Sequence, residues 1–210
     1  MKKKRSLAPH IFLAFFFIFT AVTESRSNLH SSVKKYKNNS VSQNEIKKLA
    51  RYDHLIRYFS NFSYFVPRHK VSPDFIRALI LAESGASPQA ISNKNALGLG
   101  QILLTTGKEA SKKLAQSKTH FRYVSQKTLE NLQKKDLFDP AVNILITCYL
   151  VAKYNYKFDG KLELVISAWN AGENTKSLSR GRHAPYQETE NLIGKVNAYY
   201  LYLLKNHTFP

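Results

Sequence analysis

Apolar residues recur at helical spacing along most of the chain. After Ser42 the positions Ile46, Leu49, Leu55, Ile56 and Phe59 repeat at helical intervals, and Ser42 with Glu45 has the spacing of a capping box, so a first amphipathic helix is predicted there. Ser72, Pro73 and Asp74 supply an N-cap, a proline that the first turn tolerates and an acidic first turn. They open a strongly apolar helix that stops at Gly85. Asp139-Pro140 repeats this start for a longer helix through about Tyr156, with Ile144, Cys148 and Val151 on one stripe and Asp159-Gly160 as the exit turn. Leu162, Val165, Ile166 and Trp169 form the apolar face of a helix over 162–171 that Gly172 ends. A last helix is predicted from about Glu188 to Leu204. No internal repeat and no strong period-two pattern interrupts this, so the expected class is mainly α with at most a minor β element.

The 210 residues, 43% of them hydrophobic, suit one packed core rather than two. That core is expected over 42–210. Residues 24–41 are rich in Ser, Asn and Lys and carry little apolar patterning, which predicts a flexible basic tether. Ahead of them Lys2, Lys3, Lys4 and Arg5 precede an apolar run from Ile11 to Val22, the order of an export signal, and that run is short for a membrane span. Residues 1–23 are therefore expected to be a signal peptide or an uncleaved N-terminal anchor, and the protein to be periplasmic or secreted. The single cysteine, Cys148, leaves no intrachain disulfide or cysteine zinc cluster to build, and is expected to be a buried small hydrophobe.

Thirty-two Lys and Arg against 14 Asp and Glu give a formal charge of +18 and point to a polyanionic partner or to a solvated basic surface. Without residues 1–23 the balance is 28 basic against 14 acidic, or +14, so the basicity belongs to the mature protein too. Basic pairs such as Lys47-Lys48 and Lys112-Lys113 come without any nucleic-acid-reading motif, so no nucleic acid is expected as partner.

Glu83 breaks a local rule. It is a carboxylate in the last turn of an apolar helix, where the negative end of the helix dipole disfavours it. Dipole and partial burial both raise its pKa, as a general acid near neutral pH requires. A surface glutamate at a frayed helix end is the plainer alternative.

The surrounding residues bear on that choice. Glu83-Ser84-Gly85 is followed by Ala90-Ile91-Ser92 and by Ala96-Leu97-Gly98-Leu99-Gly100-Gln101-Ile102. Further on come Asp139-Pro140 with Asn143-Ile144 and Tyr149-Leu150, then Ala168-Trp169-Asn170-Ala171-Gly172, then Pro185 with Glu188-Thr189. In this order the segments resemble the family 1 lytic transglycosylase domain, over about Val71 to Tyr200. The resemblance implies a lysozyme-like single domain of the goose-type lysozyme and transglycosylase kind. It implies Glu83 as the one catalytic carboxylate, acid and then base, with Ser84, Gln101, Trp169, Asn170 and Glu188 near the saccharide. Taken singly, Gln101 also reads as a loop residue, Asn170 as a helix C-cap and Glu188 as a first-turn acid. Ser84 is a polar neighbour of Glu83.

Two positions depart from the family. Gly100 replaces a methionine, which implies a wider, more flexible cleft wall, and Trp169 replaces a tyrosine, exchanging a hydroxyl that donates and accepts for an indole that only donates. The activity implied is non-hydrolytic cleavage of peptidoglycan between N-acetylmuramic acid and N-acetylglucosamine, leaving 1,6-anhydromuramyl ends, without metal or organic cofactor. Its partners would be glycan strands, with cell-envelope or secretion-machine proteins as further candidates, and the protein would act as a monomer. A goose-type hydrolase, a non-catalytic glycan-binding module and a basic nucleic-acid binder are the rival readings.

Overall fold

The computed structural model describes residues 29–209, apart from Arg68 and Lys118. The expected signal or anchor over 1–23 lies outside the described residues. Helix α1 covers 29–36 and is followed by α2 (Gln43–Ala50), α3 (Asp53–Ser60), α4 (Pro73–Ser84), α5 (Leu104–Gln116) and α6 (Gln126–Glu130). Then come α7 (Pro140–Lys157), α8 (Leu162–Ala171) and α9 (Gln187–Asn206), with short 3-10 turns at Lys134–Phe138 and Leu178–Arg180. Among the described residues β pairing is confined to isolated bridges, Ile91 with Leu97, Leu97 with Ile102 and Phe121 with Val124. The mainly α class with a minor β element is what the structure has. No helix among these residues is long and apolar enough to cross a membrane.

Helix α7 runs through the middle. Its residues from Ala141 to Cys148 are all buried, because α3, α5 and α8 pack around it. Asp139 caps it by accepting from the backbone N–H groups of Ala141 and Val142, and Asp159 and Gly160, both at positive φ, turn the chain out of it. Helix α4 is nearly as enclosed: Phe75 through Leu81 are all buried, and α9 lies along it. Cys148 is buried as expected, and its thiol is pushed up to about 12 by burial, against a lowering contact from the Ser60 hydroxyl.

Two expectations need correction. The single first helix is two, since Tyr52 (φ −110°, ψ 0°) leaves helical geometry and Asp53 starts α3, where its carboxylate pairs with Arg57 and with the buried guanidinium of Arg77. The Ser42–Glu45 capping box does form in full. The second correction concerns the tether over 24–41, because residues 29–36 are helical and Ser32 and Val41 are buried. The cause lies in a distant residue. Gly194 of α9 has no side chain where α1 crosses it, and a Cβ there would stand 2.7 Å from the Ser32 carbonyl and 2.8 Å from the Tyr36 ring. The composition of 24–41 cannot show that contact.

Candidate active site

The site begins with how α4 ends. Ser72 accepts from the Phe75 N–H at its start, and at its end Gly85 turns left-handed at φ +57° while its N–H reaches the Leu81 carbonyl. Held along its buried length, this helix presents Glu83 at one defined, partly buried place. Burial is the main reason the Glu83 carboxyl is raised from 4.5 to about 7. The nearby Glu188 charge raises it further, whereas a hydrogen bond from Trp169 and the charge of Lys195 pull it down.

Opposite stands the segment 90–102, folded back on itself by the bridges at Leu97. One buried side chain of α7 ties this loop down. Asn143 accepts from the Gly100 N–H at 2.8 Å and donates to the carbonyls of Leu97 at 3.0 Å and Leu137 at 2.8 Å. Gly98 (φ +73°) is required beside it, because a Cβ there would fall 2.2 Å from the Leu137 carbonyl oxygen. The Gly100 departure also takes on a different meaning. A Cβ at Gly100 would point into α7, 2.4 Å from the Thr147 hydroxyl. The missing side chain therefore makes room for Thr147 instead of widening a cleft.

Ser84 faces the same loop: its hydroxyl donates to the Leu99 carbonyl at 2.7 Å and lies 3.1 Å from that of Ile80. It joins the end of α4 to the loop. Gln101, at φ +51°, turns its amide N–H groups onto the carbonyls of Gly98 (2.8 Å) and Ala90 (3.2 Å), which leaves its carbonyl oxygen as the end it can offer a ligand.

The third wall is α8 with the start of α9. The Trp169 indole donates to Oε1 of Glu83 at 2.8 Å, although 86 positions separate the two in sequence. Asn170 accepts from the Thr189 hydroxyl at 2.6 Å, which fastens α8 to the first turn of α9. Exposed Glu188 pairs with Lys94 of the loop, and that bond holds its carboxyl below the usual range, with Asn170 adding to the effect. Glu83 and Trp169 are thus in contact, Glu188 and Asn170 adjoin them, Ser84 at the end of α4 binds the facing loop, and Gln101 belongs to that loop. Sequence reasoning passed over Asn143 as a site builder, and it passed over Lys94 and Lys195. The signal for Asn143 was an amide inside the buried stripe of α7. A groove of about 780 Å³ opens past the end of α8, lined by Glu109, Lys113, Tyr149, Lys153 and Gly172, and Glu83 is not on it.

Comparison with known proteins bears on this arrangement. The family described as the Transglycosylase SLT domain matches residues 62–192. A curated relative from Haemophilus influenzae, assigned by its name to the soluble lytic murein transglycosylases, is 30% identical over 167 residues. That match takes in 73% of this chain and 26% of the relative, so the chain spans about a quarter of its length. Among solved structures, the 70 kDa soluble lytic transglycosylase from Escherichia coli superposes with a TM-score of 0.57 at 22% identity, over 74% of this chain and 24% of that one. The lytic transglycosylase Slt from Pseudomonas aeruginosa gives 0.50 at 23% identity, over 67% and 23%. These two likenesses show the fold.

Proposed function

Because this chain belongs to the Transglycosylase SLT domain family, we propose that it cleaves peptidoglycan glycan strands non-hydrolytically, with Glu83 as general acid and then base. The observation that carries the reading is the partly buried Glu83 carboxyl, raised to about 7 and held by Trp169 at the end of a rigid helix. Such a group is protonated for part of the time near neutral pH and ionised for the rest, as one residue serving both steps needs. Its proton would pass to the glycosidic oxygen between N-acetylmuramic acid and N-acetylglucosamine as that bond breaks, and the substrate's own N-acetyl group would steady the anomeric carbon. Glu83 would then take the proton of the muramyl 6-hydroxyl, whose oxygen closes on the anomeric carbon to give a 1,6-anhydro end. Asn170, Gln101 and Glu188 would contact the sugar, and Ser84 would hold the loop that carries Gln101. No cofactor enters these steps. The apolar start of the chain would carry the protein out of the cytoplasm to its substrate, where envelope or secretion-machine proteins are candidate partners.

Glu188 supports a second reading. Two acidic groups whose environments move them apart, one up and one down, are also the signature of an acid paired with a base that activates water. That would make the protein a hydrolase of the goose-type lysozyme kind. Mass spectrometry of digested peptidoglycan separates the two, since anhydro ends are lighter by one water than reducing ends. The transglycosylase reading expects anhydro ends from the wild type and none from Glu83→Gln. Reducing ends alone would establish the hydrolase.

A further inference from the structure

Trp169 is hydrogen-bonded to Glu83 through a polar group that can only give a hydrogen. The indole N–H has no lone pair to accept with, whereas a hydroxyl in its place could do either. It sits 2.8 Å from Oε1 of Glu83. A hydroxyl-type Oε1 would be a poorer acceptor for that N–H than a carbonyl-type Oε1, so the indole favours the neutral acid with its proton on Oε2.

We propose that Trp169 is a positioning residue that grips Glu83 by Oε1 in both ionisation states and so keeps the carboxyl proton on Oε2. The ionised carboxylate accepts the indole hydrogen at Oε1, and so does the carbonyl-like Oε1 of the neutral acid. The bond therefore persists through the titration, and Oε2 alone loses and regains the proton. The charged groups around the carboxyl are Glu188 and Lys195 of α9, with Lys94 of the facing loop bound to Glu188. None of these is hydrogen-bonded to Oε1 as the indole is. For the bond-breaking use of that proton, the inference rests on the reading of the preceding section. Oε2 would pass its hydrogen to the glycosidic oxygen as the carbon–oxygen bond breaks, then take one from the 6-hydroxyl as the new bond forms, so that Glu83 ends protonated as it began.

The chain has one tryptophan, so the protein labelled with ¹⁵N shows a single indole resonance. Followed from pH 4 to 9, its proton shift should titrate with a midpoint near 7 in the wild type and stay flat in Glu83→Gln. It should also remain downfield of its position in Glu83→Ala on both sides of that midpoint. A resonance that returns at low pH to the Glu83→Ala position would mean that protonation breaks the bond, and would overturn the assignment of the proton to Oε2. A resonance that does not titrate, or that titrates equally in Glu83→Gln, would overturn the contact itself. A kinetic arm uses Trp169→Phe, which keeps a ring and removes the donor. The alkaline limb of kcat/KM should move up by about one pH unit, the scale of a hydrogen bond to a charged group. Trp169→Tyr should stay active with its limb near the wild-type position. A Trp169→Phe protein with a lowered Tm and an unmoved limb would make Trp169 a packing residue only. Failure of the wild type to lyse cell wall would remove the proposed function and leave the indole titration unchanged.

Discussion

Replacing Glu83 by Gln should make the protein more stable, increasingly so as pH rises from about 4.5 through about 7. In the folded protein the carboxyl is raised from 4.5 to about 7, chiefly by burial, whereas in the unfolded chain it keeps the ordinary value. A raised folded pKa means that the native state holds the proton more tightly. Its contribution to stability is then fully present below about 4.5 and is lost as pH rises through about 7. At about 1.4 kcal/mol for each tenfold change in proton affinity, the gap corresponds to a loss of about 3 kcal/mol. Gln has the same shape and offers the same oxygen to the Trp169 indole, but it does not titrate. The difference in stability between Glu83→Gln and wild type should therefore grow by about 3 kcal/mol from pH 4 to pH 8, in favour of the variant. For a domain of this size that corresponds to roughly 6–12 °C in Tm. Thermal melts of both proteins at the two pH values measure it, and every other titrating group cancels in the comparison. A difference in Tm that is the same at pH 4 and pH 8 would show that the folded protein does not disfavour the Glu83 charge, and the argument for a tuned acid would fail.

Three further outcomes follow from the loop and the core. Asn143→Ala leaves the Gly100 N–H and the Leu137 carbonyl without their side-chain partner in the interior. At about 1–3 kcal/mol per unsatisfied buried group, the two together should cost about 2–6 kcal/mol in urea denaturation and lower activity by loosening the loop. Gly98→Ala should cost more stability than Gly85→Ala in the same assay, although both glycines have positive φ, because the added Cβ meets backbone at 2.2 Å in the first and nothing within 4 Å in the second. Cys148, buried with its thiol pushed up to about 12, should resist an aromatic disulfide reagent in the native protein at pH 8 and react at the rate of global unfolding.

What could be read from the sequence was what local chemistry decides. Helix α4 has the bounds that Ser72, Pro73 and Gly85 announce, and α7 and α8 likewise begin and end where Asp139, Asp159-Gly160 and Gly172 put them. Helix α5 gave no such signal. Leu103 provides no side-chain cap, Gly107 lies inside, and the helix is held by contacts from elsewhere, with the Ser111 hydroxyl on the Leu129 carbonyl and Gly107 packed against Leu132 and Leu137. Helix α1 was hidden for the same reason, since Gly194 makes its seat. Within the site, Glu83 stood out because it violates a helix rule, whereas its pairing with Trp169 has no trace in spacing, and the family motifs put Trp169 only near the saccharide. The Gly100 substitution was misread because a sequence does not say which way a Cβ would point.

The fit of Gly100 against Thr147 also limits how this chain can change. Any side chain at position 100 starts inside the space that the Thr147 hydroxyl occupies, so restoring the family's methionine in one mutation would wedge α7 away from the loop. A passable order shrinks position 147 first and enlarges position 100 afterwards, so changes at the two positions should be coupled. How the loop can be altered is therefore set partly by Thr147, a helix residue with no exposed surface.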